Sequence, residues 1–384
     1  MAELYSLPDG WEWKTIEELC EILDRLRKPI SQKDRISGEY PYYGATGIVD
    51  YINNYIFDEK LLLIGEDGAK WGANENTAFI AEGKYWVNNH AHIMRPNKEL
   101  VIDSLLIYYL NTTDLMEYIT GATVKKLNQE KLKSINIPLP PLEEQKRIVA
   151  KLDILFEKID KAIALHQKNI DEADIFMASV LNDVFGELEE KYEKKQLNEI
   201  IKIIGGGTPS KAKKEYWENG TINWATVRDM NVEKIIKTEL SITEIGLKNS
   251  SSNIIPKNGI IIATRVGLGK VCYLEDDTAI NQDLKGLIPK DDKLNIRYLF
   301  NYFKNIEKYI ISNGTGATVK GVKVEFIKEL EIPLPPRKNQ QKVVVYLDEI
   351  SNKMEKIKQI QKEKMQSLKA LKASILDKAF KGEL

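Results

Sequence analysis

Cysteine is scarce: Cys20 and Cys272 are the only two in 384 residues. A disulfide framework and a four-cysteine zinc site are both excluded, and a reducing cytosol is the expected compartment. Long apolar runs are missing too. No segment approaches the ~18 consecutive apolar residues of a membrane span, and the amino terminus lacks a basic-then-apolar signal pattern. Neither sign of charge prevails, with 56 Lys+Arg against 57 Asp+Glu. Taken whole, that balance argues against a stand-alone nucleic-acid-binding domain, which usually carries a basic excess.

What the chain does have is a repeat. The segment GATVKKLNQEKLKSINIPLPPLEEQKRIVAKLD from Gly121 to Asp153 returns from Gly316 to Asp348 as GATVKGVKVEFIKELEIPLPPRKNQQKVVVYLD. Sixteen of 33 aligned positions are identical, Gln145 and Gln340 among them, which chance does not produce. Weaker echoes extend outward. WEWKTIEELCEI from Trp11 pairs with YEKKQLNEIIKI from Tyr192, and LLLIGEDG from Leu61 with IIIATRVG from Ile260. The chain is two copies of one unit, each a globular block followed by a long helix.

After each Pro-Pro the sequence loses proline and almost all glycine for about 44 residues, and proline suits a first helical turn. Ile148, Leu152, Leu155, Ile159, Ala162, His166, Ile170, Ala173 and Met177 recur at spacings of three and four. Val343, Leu347, Ile350, Met354 and Ile357 keep the same rhythm in the second helix, and Leu368, Leu371 and Ile375 resume it. Such a stripe predicts coiled-coil packing, each helix reaching about 66 Å. The segment 142–187 carries net −4 and 337–384 net +6, so opposite charge favours pairing with each other over pairing with another chain. A pseudo-twofold repeat makes that pair antiparallel, with a block at each end: the geometry of a ruler.

The blocks read as mixed α/β. Helices are expected at Thr15 to Leu23, at Asp103 to Ile119 with Asp103 as N-cap, and from Asn295 to Ser312. Apolar runs at Leu61 to Ile64, Ile222 to Val227 and Ile260 to Thr264 read as strands, and alternation through Leu330, Ile332 and Leu334 gives a last strand before each helix.

Catalytic patterns fail one after another. Pro8, Asp9, Glu12 and Lys14 compress a nuclease pattern too tightly for two strands, and the second copy lacks the Pro-Asp. GGGTPSK from Gly205 misses the Walker motif because Ala212 follows Lys211, and Cys272 stands where a dinucleotide loop needs its third glycine. Neither Pro-Pro has the polar residue before it and the aromatic after it that an adenine methyltransferase carries. His90 and His92 alternate along an expected strand, which points both to one face, but a metal needs two further ligands; polar surface or DNA contact is the better reading. The chain is expected to recognise or scaffold, not to catalyse.

The remaining segments carry a resemblance. LPDGWEWKTIEEL, YPYYGATGIVDYINNY, GGGTPSK, INWATVRDM, ITEIGLKNSSSNIIPKNGIIIATRVGLGKV and AINQDLKGL, with the duplicated IPLPP and its following glutamine, stand in one order across essentially the whole chain. Together they resemble the specificity subunit of type I restriction–modification systems. The resemblance implies an α+β fold of two target-recognition domains, 1–141 and 188–336, joined by antiparallel spacer helices 142–187 and 337–384. It implies that each domain reads half of a bipartite double-stranded DNA site, that the helices set the gap, and that they dock two modification subunits. Restriction subunits join that core. No catalytic residue, metal or cofactor is implied for this chain, while S-adenosylmethionine, ATP and Mg2+ are implied for the partners. A coiled-coil scaffold whose blocks bind protein is the alternative.

Base-edge and phosphate contact calls for Arg, Lys, Asn, Gln and hydroxyl groups. In the first block the candidates are Lys33, Arg35, Tyr42, Tyr43, Thr46, Lys70, Asn88, Asn89 and His90. In the second they are Lys211, Lys213, Lys214, Arg228, Arg265, Lys270, Asn281 and Gln282. Thr123, Lys125 and Lys126 match Thr318 and Lys320 in the repeat, and a group shared by both halves suits a phosphate clamp better than a reader of sequence. The block 1–141 is acidic at net −6 and 188–336 basic at net +3, so neutrality conceals unlike halves.

Overall fold

The computed structural model describes residues 5–316 and 318–384, which leaves Ala317 of the second GATVK copy and the first four residues outside. The chain divides into two compact units. One holds the chain up to Gln167 together with Lys362–Leu384, and the other holds Lys168–Gln361. The fold is α+β.

The first unit opens with β1 (Glu12–Thr15), α1 (Ile16–Leu19), β2 (Cys20–Ile22), β3 (Ser37–Gly44), β4 (Gly47–Ile52), β5 (Phe57–Asp58) and β6 (Leu61–Gly65). It continues through β7 (Ala78–Ala81), β8 (Lys84–Val87), β9 (Ala91–Pro96), α2 (Asp103–Thr112), α3 (Gln129–Lys133) and β10 (Asn136–Leu139) into α4 (Leu142–Lys191). The second unit holds β11 (Lys194–Gln196), α5 (Leu197–Ile200), β12 (Ile201–Gly205), β13 (Ile222–Ala225), β14 (Lys234–Ile235), β15 (Leu240–Ile242), α6 (Glu244–Lys248), β16 (Asn253–Ile255) and β17 (Ile260–Ala263). Then come β18 (Val271–Leu274), β19 (Thr278–Ile280), β20 (Leu284–Pro289), α7 (Ile296–Asn305), α8 (Glu307–Ser312), α9 (Val324–Glu329), β21 (Glu331–Pro333) and α10 (Arg337–Phe380).

The sheets repeat strand for strand. Order β4-β3-β8-β5 in the first unit matches β15-β13-β19-β16 in the second, with the central pair parallel in both. Order β2-β9-β6-β7 matches β12-β20-β17-β18, to which the second unit adds β14. The ribbon β1·β10 matches β11·β21. The repeat therefore runs through the whole of each globular block, including the stretch from β3 to β5, where no echo was evident from sequence. The reason is an insertion: from β13 to β17 the second unit adds β14 and α6, which blurs the alignment there.

Each core seats its helices on the sheet. In the first unit Leu105, Leu106 and Leu110 of α2 pack with Ile16, Leu62, Ile64 and Met94, and with Ile148, Leu152 and Phe156 of α4. Leu376, Ala379 and Phe380 of α10 close the same cluster. In the second, Leu299, Phe300 and Phe303 of α7 meet Ile260, Ile262 and Leu287, with Leu181, Phe185, Val344 and Leu347 from the long helices. Burying such side chains is the main stabilising term, about 1.5–3 kcal/mol each.

Several expected elements are shorter. Thr15 caps a single helical turn in a capping box with Glu18, and the chain then extends because Cys20 pairs with Pro96 across β2 and β9. Helix α2 ends at Thr112, whose hydroxyl donates to the Tyr108 carbonyl at 2.5 Å and competes with the helical ladder. Asp103 is not the cap but the first helical residue. The segment after Asn295 splits into α7 and α8.

The long helices run antiparallel within each unit. Lys372 Nζ meets both Asp160 carboxylate oxygens at 2.9 Å in the first, and Lys358 meets Asp174 at 2.9 Å in the second. The apolar stripe needs correction in α10. Ile357 and Leu371 face outward, while Met354, Leu368 and Ile375 are half-buried together with Lys358, Gln361, Met365 and Lys372. Lysine serves there because its methylene stem covers apolar surface while its ammonium reaches a carboxylate on α4.

Candidate nucleic-acid interface

The framework of each rim is a buried aromatic ring. Tyr42 in β3 is 1% exposed, and its hydroxyl accepts from the Ile30 amide at 2.9 Å. Trp224 holds the corresponding place in β13, 3% exposed, and its indole donates to the Gly207 carbonyl at 3.1 Å. Strand register fixes the equivalence, since Tyr42 pairs with Trp86 and Trp224 with Ala279 across the matching parallel ladders. Each ring thus pins the loop that carries the exposed Lys33 or Lys211. Tyr42 itself is a support, enclosed by protein, and not a surface for DNA.

A second pair of equivalents follows. Asn88 Oδ1 accepts from the His90 amide at 2.8 Å, and Asn281 Oδ1 accepts from the Asp283 amide at 3.1 Å. Asn88 N–H donates to the Tyr43 carbonyl and Asn281 N–H to that of Ala225, at 3.0 and 3.1 Å. Both asparagines are buried turn-formers, and the turns raise Asn89 and Gln282 as exposed tips. The types were legible in the sequence; the correspondence was not.

A third loop is the GATVK turn. Leu127 N–H donates to the Glu66 carbonyl at 2.8 Å and Val322 N–H to the Thr264 carbonyl at 2.9 Å. These bonds match Glu66 with Thr264 and Asp67 with Arg265, one residue away from the pairing the apolar runs suggest. Gly121 has φ +93°, and a Cβ there would stand 2.0 Å from the Val124 carbonyl oxygen; at Gly316, φ +130°, it would stand 2.3 Å from that of Val319. Glycine is compulsory at this turn. Thr123, Lys125, Thr318 and Lys320 project from it exposed, whereas Lys126 leans back on Glu66 at 2.6 Å.

In the second unit Lys211, Arg228, Asn281 and Gln282 line one cleft of about 570 Å³, joined by Thr208, whose hydroxyl donates to Gln282 Oε1 at 2.5 Å. Arg228 is 83% exposed and only loosely paired with Glu239 at 3.9 Å, so its guanidinium is open to a ligand. Other candidates serve their own neighbourhoods. Arg35 bonds Asp50 at 3.1 Å and lies 4.5 Å over the Tyr42 ring; Lys213 bonds the Tyr216 hydroxyl at 2.9 Å, and Lys270 bonds Asn231 at 2.6 Å. Lys214 is 3.8 Å from Glu218. Thr46 sits exposed at the β3–β4 turn, Lys70 is exposed before Trp71, and Tyr43 stacks on Phe79 at 5.7 Å.

The two histidines do not share a face. His90 lies in the turn before β9, half exposed, with Nδ1 2.5 Å from Asp67. His92 is 0% exposed, its Nδ1 2.6 Å from Asp24 and its Nε2 2.7 Å from the Leu127 carbonyl. Strand alternation cannot relate them because the strand begins between them. Asp24, Glu66 and His92 cluster closely enough for a metal, yet Gln129 donates to Asp24 at 2.9 Å while Arg27 and Lys126 occupy Glu66. A cation filling is already supplied by side chains. Burial pushes both carboxyls upward, but His92, Gln129 and the Ile93 amide hold Asp24 below its ordinary value. Lys126, Arg27 and His92 do the same for Glu66. Sequence scanning missed these acids because it sought basic and amide groups. Burial pushes the Cys20 and Cys272 thiols up to about 12, which leaves neither nucleophilic.

A duplicated rim of polar loops on duplicated sheets is what comparison with known proteins explains. The family model of the type I restriction modification DNA specificity domain matches twice, at residues 8–173 and 189–364. The chain belongs to this family. This specificity chain is 30% identical over 349 residues to a putative type I restriction enzyme specificity subunit of Haemophilus influenzae, covering 88% of this chain and 86% of that one. It is 30% identical over 372 residues to the EcoR124I/EcoR124II specificity subunit of Escherichia coli, covering 91% and 89%. A chain from a structure of a type I restriction–modification system superposes with TM-score 0.76 at 22% identity, over 99% of this specificity chain and 100% of that one. The crystal structure of the HsdS subunit from Thermoanaerobacter tengcongensis gives 0.52 at 22%, over 100% and 99%. These two likenesses establish the fold. Among the described residues no helix is long and apolar enough to cross a membrane.

Proposed function

We propose that the chain is the non-catalytic DNA-reading subunit of a type I restriction–modification complex acting in the cytoplasm. Residues 1–141 and 188–336 each read one half of a bipartite site, and the spacer segments 142–187 and 337–384 set the gap and dock two modification subunits. Restriction subunits complete the assembly. S-adenosylmethionine, ATP and Mg2+ belong to the partners. The observation that carries this reading is the duplicated rim: matched buried groups, Tyr42 with Trp224 and Asn88 with Asn281, hold loops whose exposed groups differ, as Asn89 does from Gln282. A constant frame with variable tips suits two readers of unlike sequence. The remaining exposed candidates, Lys33, Lys125, Lys211 and Lys320 among them, act as phosphate contacts that fix position.

Exchanging the residues before Pro140 for those of a relative, then mapping methylated adenines in cells, tests the assignment. One half-site is expected to change while the other stays. Simultaneous change of both halves rejects two independent readers, and sequence-independent binding favours a protein-binding scaffold.

A further inference from the structure

The two rims share a contact whose polarity is reversed. Asp67 corresponds to Arg265 through the carbonyl before each, which accepts from the matched amides of Leu127 and Val322. His90 corresponds to Asp283, because Glu66 N–H donates to the His90 carbonyl at 2.8 Å and Thr264 N–H to that of Asp283 at 2.9 Å. In the first unit the strand-end loop supplies the carboxylate and the asparagine turn supplies the imidazole, 2.5 Å apart. In the second the strand-end loop supplies the guanidinium and the turn supplies the carboxylate, 3.5 Å apart.

Stability does not account for such pairs. The His90 side chain is 50% exposed and that of Arg265 58%, and solvated pairs of this kind contribute little to folding. Their supports lie deeper, half-buried Lys285 in the second unit and fully buried His92 in the first. Beneath the second turn Lys285 Nζ donates to the Gln282 carbonyl at 2.8 Å, and at the matching place beneath the first, His92 bridges Asp24 and the Leu127 carbonyl. An exposed charged group on a rigid loop is what base readout requires.

We propose that this pair is the specificity-determining contact of each unit: Arg265, oriented by Asp283, reads a guanine in one half-site, and Asp67 with His90 reads an amine-bearing base at the corresponding step of the other. The inference rests on the rims facing DNA. Arginine offers two parallel donors that match guanine O6 and N7, whereas a carboxylate accepts from the exocyclic amine of cytosine or adenine. With His90 Nδ1 against Oδ1 of Asp67, the second carboxylate oxygen of Asp67 is left to accept. The first pair is thus built to accept and the second to donate.

The test selects bound duplexes from a randomised library with the full chain co-purified with its modification subunits. Arg265→Gln is expected to lower guanine discrimination about tenfold at one position of one half-site only. Arg265→Lys, which keeps the charge and loses the fork, is expected to bind with near-normal affinity and the same loss of discrimination. The double exchange Asp67→Arg with His90→Asp is expected to bring guanine into the first unit's half-site. Unaltered base preference in these variants, with binding weakened uniformly, overturns the proposal. Failure of the unsubstituted complex to enrich any sequence rejects the underlying DNA-reading function instead, so the two failures are distinct.

Discussion

Gln145 and Gln340 are 0% exposed and make the same three bonds in the two units. Gln145 Oε1 accepts from the Ile102 amide at 2.9 Å, while Nε2 donates to the Leu100 and Pro140 carbonyls at 2.8 Å. Gln340 does so with Asn295, Lys293 and Pro335 at 2.7 to 2.8 Å. Each glutamine ties the start of a long helix to the turn before α2 or α7. Replacing Gln145 by Leu orphans one donor and two acceptors and is expected to cost about 3 kcal/mol, since an unpaired buried group costs roughly 1–3. Thermal unfolding should show one early transition assigned to the first unit, and Gln340→Leu should move the other; an unchanged melting profile removes the glutamines as joints. The Glu66 network gives a second prediction. Its carboxyl and that of Asp24 are held below their ordinary 4.5 and 3.8, so their contribution is present above those values and lost as pH falls through the lower folded ones. Glu66→Gln is expected to lower the melting temperature at neutral pH and to flatten its decline below about pH 4.5. A decline as steep as in the unsubstituted chain assigns the acid sensitivity elsewhere. Gln145 and Gln340 were legible as identical residues in a repeat. Glu66 and Asp24 were not, because a buried acid announces itself only through the Arg27, Lys126 and His92 that the fold brings to it.

At the scale of elements, the long helices were the most legible part, since a stripe of three and four spacings survives any detail of packing. In the middle of α10, where Ile357 and Leu371 face outward, Lys358, Gln361 and Lys372 share the seam with Met365 and Leu368. Lys372 shows what such a position contributes: it bonds Asp160 at 2.9 Å and its ammonium lies 4.6 Å over the Phe156 ring. Lys372→Asp should destabilise the first unit by about 1 kcal/mol through like-charge contact and the lost cation–π term. Adding Asp160→Lys should recover part of that loss. A double variant no better than the single one, in chemical denaturation, rejects the pair as a helix-matching device. The short strands and one-turn helices were less legible. Cys20–Ile22 reads as the tail of a helix until β9 is present to pair with it, and the matched loops differ in length, which hides their equivalence from alignment.

For the molecule as a whole, charge and repetition meet. The net −1 is the sum of unlike parts, −6 for 1–141, −4 for 142–187, +3 for 188–336 and +6 for 337–384. The opposite signs of the spacer segments meet in Asp160–Lys372 and Asp174–Lys358, one ion pair within each unit. An acidic first block has to attract DNA through a local set of cations such as Lys33 and Lys125, or through partner subunits. Binding by the isolated chain should therefore be weak and strongly salt-dependent, and tighten on assembly. If the spacers set the gap, their length and not their surface carries that information. Inserting four residues after Gln167 and four after Gln361 adds about one turn, near 6 Å, to each helix and brings both stripes back to within about 40° of their phase. Methylation mapped in cells should then show both half-sites intact and the gap lengthened by about two base pairs, since a duplex rises about 3.4 Å per pair. Because the antiparallel partners of Asp160 and Asp174 lie on opposite sides of the inserted turns, the matched insertion preserves both ion pairs, whereas an insertion in one helix alone breaks the register. A gap that stays constant while both half-sites persist would leave spacing to the partner subunits.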